Sequence, residues 1–116
     1  MDVEVIRKLC ISLPHVTEDV QWGNDLLFRI GGKIFVGVSL SPSSEGYFSF
    51  KCTPEEFAEL TEREGIVPAP YVARYHWVSV KWDEALSATE FRRYIRNSYN
   101  LVSAKLPSKA RRQLGI

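Results

Sequence analysis

The sequence predicts an α+β domain: an antiparallel sheet of four to five strands with helices packed on one face, in the order α-β-β-β-α-β(β)-α. Three observations predict it. Two β-rich runs meet at Gly31-Gly32 in "DLLFRIGGKIFVGVSL", a glycine pair whose freedom at positive φ suits a two-residue hairpin turn. Strict alternation in "YFSFKC", and again over residues 77 to 82, marks strands that are buried on one side only. Two capping boxes, Thr53 with Glu56 and Ser87 with Glu90, each open a helical pattern. At 116 residues and 45% apolar, the chain fits one domain, 1–116, with a core of its own.

Each element has a local cause. Val3, Ile6, Leu9, Cys10 and Leu13 recur at helical spacing after Asp2, an N-cap residue type, and Pro14 disfavours helical geometry at Leu13, so a helix is expected over about 3–12. The same spacing makes Cys10 a core residue. "HVTEDVQW" fits an extra edge strand only weakly because of its acids. Strands are expected near 26–30 and 33–39 and, after the loop "SPSSEG", at 47–52. Thr53 as N-cap and Pro54 in the first turn start a helix over 54–64, closed by Gly65, and its five glutamates make it an acidic solvated face. "IVPAP" is expected to be an extended or turning connection, since neither proline can donate to a ladder. A strand at 77–82 follows. A helix over 88–105 then places Phe91, Tyr94, Ile95, Ser98, Leu101 and Val102 on one face, and Pro107 opens a final turn or short helix ending near Gly115.

Charge is balanced overall, at +1, which removes a global field toward nucleic acid or membrane. It is uneven along the chain. Residues 85–116 carry seven basic side chains and one acid, a net +6, whereas residues 1–84 carry eight basic and thirteen acidic, a net −5. Two distant cysteines do not make a disulfide framework, and "MDVEVIRKLC" lacks the features of an export signal, so a cytoplasmic protein is expected. No apolar stretch nears the roughly 18 residues of a membrane span, and no close pair of histidines or cysteines has metal-ligand spacing, so neither membrane nor metal is expected as a partner. Nucleophile-elbow and phosphate-loop motifs do not occur. A Cys52–His76 pair would serve catalysis only in a deep pocket, and Cys52 falls on the apolar side of its strand, where burial raises its pKa.

Alternation divides each strand into two faces. Tyr47, Ser49 and Lys51 oppose Phe48, Phe50 and Cys52, while Trp77, Ser79 and Lys81 oppose Val78, Val80 and Trp82. The open sheet face is therefore expected to show Trp77, Ser79 and Lys81 and to bury the valines and Trp82. Arg29 lies on the polar side of its own strand, and Arg74, Tyr75 and His76 directly precede Trp77. Rings mixed with cations suit nucleic acid, although a solvated sheet face with ordinary cross-strand neighbours gives the same pattern. His76 is either a pH-sensitive contact or a surface imidazole. A second basic surface is the ridge Arg92, Arg93 and Arg96, extended by Arg111 and Arg112; the preference of helix C-termini for cations accounts for part of it.

Four stretches, "EDVQWGNDLLFRIGGKIF", "FKCTPEEFAEL", "PAPYVARYHWVSV" and "IRNSYNLVSAKLPSKARRQL", together resemble the MmcQ/YjbR family of small bacterial proteins over nearly the whole chain. The matching positions are Trp22-Gly23, the Gly31-Gly32-Lys33 turn, Lys51 before a capped helix, and His76-Trp77. The resemblance implies a YjbR-like fold in the element order given above. It also implies DNA binding, by likeness of that fold to the double-wing domain of a phage transcription factor, whose saddle-shaped sheet faces the duplex. It carries no catalytic residues and no cofactor. The resulting expectation is a non-enzymatic protein that binds DNA through the open sheet. Arg29, Lys51, Arg74 and Lys81 would meet phosphates, with Tyr47, Tyr75 and Trp77 as stacking or apolar contacts and His76 beside them. The alternative is a protein–protein interaction module with no nucleic-acid role.

Overall fold

The computed structural model describes residues 3–22, 24–40, 48–81 and 83–116. Tyr47, Trp82 and the "SPSSEG" loop, and with them the expectations placed on those residues, lie outside this set. The elements are α1 Val3–Ser12, β1 Val16–Gln21, β2 Asp25–Ile30, β3 Lys33–Ser39, β4 Phe48–Lys51, α2 Pro54–Leu60, β5 Ile66–Pro68, β6 Trp77–Val80, α3 Ala88–Ala104 and α4 Ser108–Leu114. Among the described residues the strands form one antiparallel sheet in the order β1-β2-β3-β4-β6-β5. The fold is α+β, as expected, with six strands rather than four to five.

Both added strands are edges. The acids of β1 have partners: Glu18 accepts from Arg7 at 2.9 Å and Asp19 from Arg29 at 3.0 Å, so charges that argue against a strand are paired within the fold. In β5, Pro68 stands opposite Val78, and the N–H of Ala69 donates to Trp77 O at 3.0 Å. Antiparallel alternation turns the proline's missing donor away from β6, where its absence costs no ladder bond. α2 stops at Leu60, short of the expected 64, with Thr61 as C-cap and its hydroxyl bonded back to Phe57 O at 2.7 Å. Gly65 still follows in the left-handed region, at φ 84°. The two capping boxes and the Gly31-Gly32 turn, with φ 60° and 82°, form as the sequence requires.

The core lies between one sheet face and the helices. Leu26, Phe28, Ile30, Val36, Val38, Phe48, Phe50, Val78 and Val80 meet Ile6, Cys10, Leu60, Phe91, Tyr94, Ile95 and Val102. Phe48 packs edge-on against Phe91, and Phe50 stacks on Tyr94. A register shift at Phe28/Arg29 leaves Phe35 without a ladder partner on β2. Ser98 of α3 serves that bulge: its hydroxyl donates to Phe35 O at 2.7 Å and accepts from Lys51 N at 3.0 Å. No helix among the described residues is long and apolar enough to cross a membrane.

Candidate binding basin on the open sheet face

Side chains that alternate away from the core build the second sheet face. They are Asp25, Leu27 and Arg29 of β2, Ile34 and Gly37 of β3, Ser49 and Lys51 of β4, and Trp77 and Ser79 of β6, in the registers that pair Gly37 with Leu27 and Ser49, and Ser49 with Ser79. Val78 and Val80 point into the core, so Trp77 is on the helix-free side as expected. It is half-buried there rather than presented. Ser79 is a clear departure, being 4% exposed with its hydroxyl 2.8 Å from that of Ser49. Ser79 lies between Ser49 of β4 and Val67 of β5, and the segment 69–72 after β5 borders this end of the sheet.

Between that segment and the end of β1 lies a basin of about 620 Å³. Leu27, Ile34, Gly37 and Ser49 form its floor, and Trp22, Trp77, Ala69, Pro70, Tyr71 and Val72 its walls, with Asp25 also lining it. Gly37 keeps the floor low. A Cβ there would meet Leu27 Cδ2 at 3.5 Å, an ordinary contact, so packing does not demand a glycine at this position. At the rim, Trp22 is 73% and Tyr71 97% exposed. Both have positive φ, 53° and 69°, a conformation that costs an L-residue about 1–2 kcal/mol.

Three of the four cations assigned to this face are already engaged within the chain. Arg29 donates to Asp19 at 3.0 Å and to Gly32 O at 3.0 Å. Lys51 Nζ donates to Tyr75 O at 2.6 Å, and burial, together with the nearby charge of Lys105, lowers its pKa. Arg74 lies over the Tyr75 ring, 4.7 Å from its centroid. The structure thus brings Lys51, Arg74, Tyr75, His76 and Trp77 together at one end of the β4–β6 pair, leaves Lys81 exposed, and keeps Arg29 apart across β3. His76, at φ 64°, sets its ring edge-on to Phe57. The Cys52 thiol donates to the backbone carbonyl of His76 at 3.3 Å, and burial, with Glu56 adding to it, pushes its pKa up to about 12.

The other basic surface is on the helical side. Arg92, Arg93 and Arg96 are exposed on α3 and line a shallow depression of about 410 Å³ with Thr89, Asn97 and Asn100. The Arg93 guanidinium sits 4.9 Å from the centre of the Tyr94 ring. Arg111 and Arg112 are exposed in the last turn of α4. None of these five pairs with a carboxylate among the described residues.

Strand alternation alone does not reveal Trp22, Leu27, Ile34, Gly37 and Tyr71 as one site. Trp22 and Tyr71 are 49 positions apart in the sequence, and only the fold-back of 69–72 makes them neighbours of one basin. The available signals were a tryptophan followed by a glycine and a tyrosine after Pro-Ala-Pro, both rings held at turns.

Known proteins share this architecture. Protein DR2400 of Deinococcus radiodurans, a DUF419 domain in crystal form, superposes with a TM-score of 0.84 at 27% identity, over 98% of this chain and 88% of that one. A protein from Pseudomonas syringae shares the fold at a TM-score of 0.72 and 21% identity, over 87% of this chain and 98% of that one. The uncharacterized protein YbdF of Escherichia coli O157:H7 is 31% identical over 105 residues, 85% of this chain and 82% of that protein. The YjbR family profile matches residues 11–101, and with that extent of agreement the chain belongs to the YjbR family.

Proposed function

We propose that the chain is a non-catalytic binding protein that takes a small organic ligand with a flat apolar ring into the basin on its open sheet face. One observation carries this reading: a space of about 620 Å³, walled by Trp22, Tyr71 and Trp77, on a face without helices. Ligand sites typically measure roughly 300–1,000 Å³ and combine apolar walls with few polar groups. Here the described lining residues bring the Asp25 carboxylate, the Tyr71 hydroxyl, two indole N–H groups and the Ser49 hydroxyl, the last already hydrogen-bonded to Ser79. Backbone strain at two exposed rim rings supports the reading, since strained residues cluster where a ligand is gripped. The non-catalytic part rests on Cys52, whose thiol contacts the His76 carbonyl rather than the imidazole. Two free buried thiols, Cys10 and Cys52, support a reducing, cytoplasmic setting.

The test is a titration with 2-naphthol, followed through the tryptophan indole N–H resonances. The expected result is a saturable shift of the Trp22 and Trp77 signals. Gly37→Val, which raises the floor at a position suited to a β-branched residue, weakens binding at least about tenfold without lowering the thermal midpoint. No saturable shift, or equal binding by Gly37→Val, overturns the reading.

Nucleic-acid binding is a second reading, supported by a different surface. On the sheet, Arg29 and Lys51 spend their donors on the protein itself, whereas Arg92, Arg93 and Arg96 stand exposed without carboxylate partners among the described residues. A duplex would lie along α3.

A further inference from the structure

The basin contains a polar feature that a merely apolar ligand leaves unused. Asp25 is half-buried at the start of β2 and lines the same space as Trp22, Tyr71 and Trp77. Among the described residues its carboxylate makes no hydrogen bond or ion pair. The two nearby acids of β1 behave differently, Glu18 being held by Arg7 and Asp19 by Arg29. Among the described residues no lysine or arginine lines the basin, and Arg29 and Lys51 on the same sheet face are turned to Asp19 and to the Tyr75 carbonyl. Among the described residues that line it, the basin therefore carries one carboxylate without an ion partner beside three aromatic rings, with the charges of Lys51 and Arg74 outside it at the Trp77 end of the β4–β6 pair.

That combination selects a cation. Indole and phenol rings present negative quadrupole faces that attract a cationic group within about 6 Å, most strongly where water is partly excluded. A bulky ammonium, which is weakly hydrated and coated in methyl or methylene groups, gains from both the apolar walls and the carboxylate. An anionic ligand is repelled by the Asp25 carboxylate. We infer that the basin recognises a small aromatic cation, a flat ring carrying a protonated or quaternary amine, with Asp25 and the three rings around the charged end. This deepens the basin reading and rests on it.

An isosteric pair separates the two claims. (4-Hydroxyphenyl)trimethylammonium and 4-tert-butylphenol have nearly the same shape and differ in charge. Titrated separately against the intact protein and read from the indole N–H resonances, the cation is expected to bind at least about tenfold more tightly. Asp25→Asn should remove most of that preference while leaving the affinity for 4-tert-butylphenol within about twofold, which shows that the variant basin is still formed. Raising the salt concentration should weaken the cation alone. Equal binding of the two probes to the wild type, with both weakened by Gly37→Val, overturns the cation inference and leaves the basin reading standing. Failure of both probes to move any indole signal overturns both. A preference that persists unchanged in Asp25→Asn also overturns the assignment, since the carboxylate then plays no part.

Discussion

Ser98 joins two backbone groups that the sheet cannot pair by itself. The bulge at Phe35 takes one carbonyl out of the β2–β3 ladder, and β4 ends as Lys51 turns toward α2. One hydroxyl, 0% exposed, then accepts from Lys51 N and donates to Phe35 O. Ser98→Ala leaves both groups buried beside a methyl, and the expected loss is about 1–3 kcal/mol in urea unfolding, with an unchanged slope against denaturant. A midpoint equal to that of the wild type would show that water or a backbone shift supplies the missing partners. In the sequence Ser98 is visible only as a small residue within an apolar helical stripe. Its role depends on a bulge, and the bulge depends on strand register, which local pattern does not encode. Gly37 was silent for a related reason: a glycine inside a strand signals a close approach or a bulge, and here it marks the floor of a basin whose walls arrive from elsewhere.

Among the elements, the helix starts were the most legible because their chemistry is local. Thr53 with Glu56 and Ser87 with Glu90 each satisfy donors within four residues, so spacing alone finds them. The edge strands were the least legible. β1 needs Arg7 and Arg29 to neutralise its acids, and β5 needs an outer position for Pro68, and both conditions come from other parts of the chain. Glu90 shows how a local signal acquires a distant function: besides closing its capping box it accepts from Arg63 at 2.7 Å, tying the turn after α2 to the start of α3. The Arg63 hydrogen bond, followed by the Ser87 backbone, lowers the Glu90 pKa from 4.5 to about 2. A carboxyl depressed in the folded state contributes stability that is fully present above its unfolded pKa and is lost as the pH falls through the folded one. The stabilisation should therefore decline between about pH 5 and pH 2. About a quarter of the side chain remains exposed, so solvent screening reduces the expected size to roughly 1–2 kcal/mol. Urea midpoints across that pH range should show the decline in the wild type and a shallower one in Glu90→Gln. Parallel profiles would remove the pair from the acid response.

At the scale of the whole molecule, the charge asymmetry along the sequence does not become a simple asymmetry between faces, because the glutamates of α2 lie on the helical side with the arginines of α3. The arginine-rich C-terminal part forms α3 and α4 on the helical side, whereas the open sheet face holds Asp25 in its basin and has Arg29 tied to Asp19. Strand alternation located the open face correctly but not its electrostatics, because whether a lysine faces a ligand or a carbonyl of its own chain depends on the partner within reach. This decides where a duplex would bind. Three phosphates neutralised by Arg92, Arg93 and Arg96 give a slope of log affinity against log salt of roughly −2.7. Arg92→Glu with Arg96→Glu should then abolish binding to a labelled duplex at low salt, while Lys51→Glu with Lys81→Glu leaves the slope unchanged. The reverse outcome would return the duplex to the sheet and require Lys51 to release the Tyr75 carbonyl on binding. Absence of any complex at low salt would remove nucleic acid from both faces.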